Sequence, residues 1–139
     1  MIKEEYVSFE TAKLLKEKGF DAECHSHYYP CHYPDGSIQY HKYEYSAKRN
    51  RYWYDIYSLK TLPVDHYLAP TLQMAMKWLR EVHHFHIIPE ISDVSRLNPQ
   101  YYVVIWLTTS KRESYILELF DSYEEACEEA IKYCLENLN

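Results

Sequence analysis

A chain of 139 residues fits one domain and is long enough to bury a core without help from disulfides or metal. Its net charge is −6 and uneven: residues 1–60 carry nine basic and nine acidic side chains, residues 61–139 six and twelve. The second half therefore repels a phosphate backbone, no apolar run is long enough to span a bilayer, and no apolar leader follows Met1. The expectation is a cytoplasmic protein with no membrane partner, disfavoured as a nucleic-acid binder, whose four cysteines are thiols or ligands.

The pattern along the chain predicts an α+β fold in the order α-β-β-α-β-β-β-α, built as a single domain over 1–139. Ser8 is the N-cap of the first helix, and Phe9, Ala12 and Leu15 are its inner stripe. Gly19 supplies the left-handed stop, with Phe20 returning to Leu15. Residues 21–36 read as a loop, because they hold Pro30, Pro34 and the turn signal Pro34-Asp35-Gly36. The runs 38–46 and 51–59 read as a hairpin.

Pro70 opens a second helix that ends near His83, with Leu72, Ala75, Met76, Leu79 and Val82 on one face. A short strand follows over 84–88, then an irregular stretch over 89–100 between two prolines. The strongest strand, 101–109, is apolar on both alternating sets, the mark of a central strand covered on both faces. It turns back into 114–120. Ser122-Tyr123-Glu124-Glu125 forms a capping box for the last helix, whose stripe is Ala126, Ala130, Cys134 and Leu138 with Cys127 and Ile131 beside it. Hairpin connections imply one mostly antiparallel sheet of about five strands.

Chemistry-bearing residues gather at a few places. Cys24, His27 and Cys31 carry thiolate and imidazole, zinc's preferred ligands, on one short segment. Their spacing matches no common zinc motif, so a cofactor-free chain is the first expectation and zinc at these three residues the alternative. His83, His84 and His86 straddle a helix–strand boundary, where histidine more often ends a helix. In the 38–57 hairpin, Lys48, Arg49, Arg51 and Trp53 lie among tyrosines, the mixture that grips single-stranded nucleic acid by stacking and charge. Cys127 and Cys134 share one helix too far apart for a disulfide and read as core. With Gly19 and Gly36 as the sole glycines, there is no phosphate loop and no dinucleotide fingerprint.

The helical stretches over 8–21, 69–81 and 123–135 (SFETAKLLKEKGFD, APTLQMAMKWLRE and YEEACEEAIKYCL) resemble small uncharacterised proteins of phages and mobile elements of gut bacteria. The likeness covers the three helices and neither the hairpin nor the 89–100 stretch. It implies a cytoplasmic accessory role, makes an enzyme somewhat less expected and transfers no functional residue.

Tyrosine, at 16 residues, suits half-buried sheet surfaces and interfaces, since its ring is apolar and its hydroxyl polar. The leading expectation is protein binding, to a host or phage protein or to a second copy, through an aromatic sheet surface that three helices leave open. Single-stranded nucleic-acid binding through the hairpin and a metal-binding module are the alternatives.

Overall fold

Among the described residues the strands form two three-stranded antiparallel sheets, where the sequence predicts one sheet of about five strands. The computed structural model describes residues 4–43, 56–92, 97, 99–109 and 113–137. It divides into two compact units, one of Tyr6–Pro70 and one of Met1–Glu5 with Thr71–Asn139. The α+β class and the antiparallel pairing hold in both.

In the Tyr6–Pro70 unit, α1 (Phe9–Glu17) starts where the Ser8 hydroxyl accepts the Thr11 N–H. It stops as the sequence predicts. Gly19 adopts φ +86°, its N–H bonds the Lys16 carbonyl, and the Phe20 N–H returns to Leu15 at 2.9 Å. Leu15 and Phe20 are both buried.

The segment 21–36 is not all loop. It contains β1 (His27–His32), which pairs with β2 (Ile38–Tyr43) and, at its start, with β3 (Tyr67–Leu68), giving the order β2-β1-β3. Pro34-Asp35-Gly36 makes the turn between β1 and β2, with Gly36 at φ +87° and the Asp35 carboxylate accepting from the Ser37 N–H and hydroxyl. The predicted 38–46/51–59 hairpin falls largely outside the described residues; β2 pairs with the strand before it.

Pro30 survives inside a strand because of the ladder's alternation. The Tyr33 N–H bonds Ser37, so odd-numbered β1 residues bond toward β2 and the Pro30 nitrogen faces the other way. On that side β3 ends after pairing with Tyr28, before a donor from Pro30 would be needed.

In the other unit, the Thr71 hydroxyl caps α2 (Leu72–His83), so Pro70, predicted in the first turn, lies just before the helix. Leu72, Ala75, Met76 and Leu79 are buried as predicted. Val82 is exposed and Trp78 takes the inner place. His84 ends the helix in the left-handed region, φ 63°, and His86 lies in the strand that follows.

β4 (Phe85–Ile91), β5 (Tyr101–Leu107) and β6 (Glu113–Phe120) follow, with β5 central. β4 runs past Pro89 into the stretch predicted to be irregular. Here too the ladder explains the tolerance. Thr108 N–H to His84 and Ser92 N–H to Gln100 place the bonded pairs at even β4 residues, so the Pro89 nitrogen points away from β5.

α3 (Tyr123–Glu136) opens at Ser122, whose hydroxyl accepts the Glu125 N–H. The Glu125 carboxylate reaches back to the Asp121 N–H, one residue earlier than a standard capping box. Ala126, Cys127, Ala130, Ile131, Cys134 and Leu135 are buried, with Phe85, Val103 and Ile105 forming the sheet's share of the core. No helix among the described residues is long and apolar enough to cross a membrane.

Candidate functional site

Lys48, Arg49, Arg51 and Trp53 lie outside the described residues. The three proposed zinc ligands are placed apart. His27 and Cys31 both belong to β1, four residues along one strand, which separates them by about 13 Å. Cys24 sits before the strand in an isolated bridge to Tyr57, buried, and burial pushes its thiol up to about 12. A zinc ligand must be a thiolate, and that burial favours the neutral thiol. Among the described residues no group of three or more His, Cys, Asp or Glu side chains gathers as metal ligands would.

His27 instead belongs to an aromatic layer. It is 8 % exposed, with the Tyr57 ring 4.3 Å away edge-on and the Tyr43 ring stacked at 5.6 Å. On the opposite face of the same sheet, Phe9 of α1 stacks on Tyr40 at 4.2 Å and meets Tyr28 and Tyr67 edge-on. Lys16 lies over the Tyr67 ring and donates to the Val64 and His66 carbonyls. Much of the tyrosine surplus in this unit therefore builds the two sheet faces.

The β4-β5-β6 sheet is different. Pairing in register sorts its side chains into two faces. One face carries Phe85, Val103 and Ile105 and packs on α2 and α3, with Tyr101 meeting Tyr123 and Tyr115 meeting Tyr133. The other is open. β5 is central but covered on one side, not on both as its sequence predicts.

Three rows cross the open face. The middle row is apolar: Ile88, Val104 and Ile116 in direct register. Ile88 and Ile116 are 42 % and 61 % exposed. On one side lie His86, Trp106 and Ser114, also in register, with Trp106 45 % exposed. On the other side Glu90 pairs with Tyr102, and Glu118 lies close enough to Tyr102 to raise its phenol. The Tyr102 hydroxyl donates to a Glu90 carboxylate oxygen, and that bond is the main reason its pKa stands above the ordinary value.

Isolated exposed apolar residues are ordinary, whereas a contiguous group is a feature of interaction sites. The sequence carried a signal for this face. Both alternating sets of 101–107 are apolar, and Ser114-Ile116-Glu118 alternates with the half-buried Tyr115 and Leu117. What the sequence lacked was how many layers of helix the fold supplies.

A groove of about 160 Å³ lies in the same unit, lined by Glu4, Glu5, Thr71, Leu72, Gln73, Tyr123 and Glu124. It is open, acidic and bordered by two helix starts whose caps are already made by Thr71 and Ser122.

No protein-family model, curated protein or solved structure matches the chain.

Proposed function

We propose that the chain is a non-enzymatic protein-binding module whose working surface is the open face of β4-β5-β6. The observation that carries this reading is the in-register row Ile88–Val104–Ile116, flanked by Trp106, with Ile88, Ile116 and Trp106 exposed on a sheet whose other face packs on two helices. Burying a large apolar side chain contributes ~1.5–3 kcal/mol, so a few such residues at the centre of a patch supply the anchor of an interface. Polar groups around the apolar row match the arrangement of an interface core and rim. The role suits the accessory function in a phage or mobile element that the helix resemblance implies.

The test compares the native chain with Ile116→Glu in sedimentation velocity over a range of concentrations and in pull-downs from host lysate. Ile116 is exposed, so the substitution should leave the melting temperature nearly unchanged. Association should be lost in the variant. Identical behaviour of the two chains in every association assay overturns the reading.

A further inference from the structure

The geometry points to a second copy of this chain as the occupant of the open face, docked about a two-fold axis that runs across the strands along the Ile88–Val104–Ile116 row. This rests on the reading of that face as a binding surface and adds the partner and its orientation.

The argument is one of charge and hydrogen-bond complementarity. The face has two unlike ends. One end presents acceptors, the carboxylates of Glu90 and Glu118 on either side of Tyr102. The other presents groups able to donate, the His86 imidazole, the Trp106 indole N–H and the Ser114 hydroxyl. Between them the apolar row is symmetric in kind, isoleucine–valine–isoleucine.

Two face-to-face arrangements with two-fold symmetry keep the strands roughly aligned. With the axis along the strands, β4 lies over the copy's β6, Glu90 faces the copy's Glu118, and four carboxylates crowd one end. With the axis across the strands, β4 lies over the copy's β4 and β6 over its β6. His86 then faces the copy's Glu90, Ser114 faces its Glu118, Trp106 faces its Tyr102, and the apolar row meets itself. Opposed like charges are disfavoured at an interface, and matched donors and acceptors fix its register. The second arrangement makes every polar row face a complementary one.

The two arrangements predict different distances. Packed sheets lie about 10 Å apart and strands about 4.8 Å apart. Across the strands, Ser114 and the copy's Glu118 are about 10 Å apart between Cα atoms, and Ser114 and the copy's His86 about 19 Å. Along the strands the two values exchange. The ~30° rotation usual between aligned sheets moves these corner positions by about 4 Å, too little to reverse the order.

The experiment uses the full chain in a Cys31→Ser background, since Cys24, Cys127 and Cys134 are buried. Chains carrying Ser114→Cys are mixed with differently tagged chains carrying Glu118→Cys or His86→Cys and treated with a short bismaleimide. Circular dichroism and sedimentation of each variant establish that it is folded and still associates. A cross-linked heterodimer from the 114/118 mixture and little from the 114/86 mixture is the expected result. The reverse pattern overturns the orientation. Neither product, in chains whose association Ile116→Glu still abolishes, overturns the inference while leaving the face as the binding surface. A chain that stays monomeric at all concentrations overturns the second copy as occupant, and the Ile116→Glu pull-down then decides the surface separately.

Discussion

The imidazoles of His27 and His66 stack 5.2 Å apart with 20° between their planes, and neither Nδ1 has a hydrogen-bond partner among the described residues. Burial, and then the proximity of His66, hold the His27 pKa below the ordinary histidine value. A group whose folded pKa is lowered contributes stability that is complete above its unfolded value of about 6.5 and is lost as pH falls through the folded value. Burial, and then His84, lower His83 in the same direction. Urea midpoints should therefore fall between about pH 7.5 and about pH 5.5. His27→Phe keeps the ring contacts with Tyr43 and Tyr57 and should flatten that slope; an unchanged slope would remove His27 as its cause.

The two chemically similar helix starts should respond alike to loss of their caps. Thr71→Ala and Ser122→Ala each remove a hydroxyl that accepts a backbone N–H, at 3.1 Å in both cases. Each should destabilise the fold by about 1 kcal/mol in chemical denaturation. Because Glu125 reaches back to Asp121, Ser122→Ala and Glu125→Ala should be non-additive, which a double-mutant cycle reads directly.

Gly19→Ala isolates a backbone effect. A Cβ at this position meets no atom within 4 Å, so crowding plays no part. The φ of +86° remains, and an L side chain there should cost about 1–2 kcal/mol, read as a lower denaturant midpoint with an unchanged slope.

The thiols should separate sharply in reactivity. Burial pushes Cys24 and Cys134 up to about 12 and Cys127 to about 11, whereas Cys31 is partly exposed on β1. Since the thiolate is the reactive form, an aromatic disulfide reagent should label one thiol quickly in the native chain and all four in denaturant. Fast labelling of more than one native thiol would contradict the burial of the other three.

The local punctuation of the helices was readable in the residues. Ser8, Gly19 with Phe20, and Ser122 with Glu125 act through neighbours a few positions away, and short-range chemistry is what a sequence displays. Prolines misled. Pro30 and Pro89 read as loop signals, yet each occupies the alternate strand position whose nitrogen faces away from the ladder it belongs to. That alternation depends on which partner a strand finds, and partner choice is a long-range property. The same applies to the sheet count: the split into β2-β1-β3 and β4-β5-β6 is set by pairing, not by strand pattern. The sequence predicts an exposed aromatic sheet surface without placing it, because which face the helices leave uncovered is a tertiary property; on β4-β5-β6 the exposed large apolar residues include Ile88, Trp106 and Ile116. The zinc reading assumed a flexible loop, and an extended β1 holds His27 and Cys31 apart.

Pro89 sits on the outer strand with its nitrogen turned away from the sheet. A strand arriving from another molecule to lengthen the sheet sideways would find no N–H at that residue, midway along the edge it must copy. Lateral templating, the route by which exposed strands grow into fibrils, is interrupted there. Growth of the sheet by strand addition along β4 therefore has to pass a residue that cannot donate.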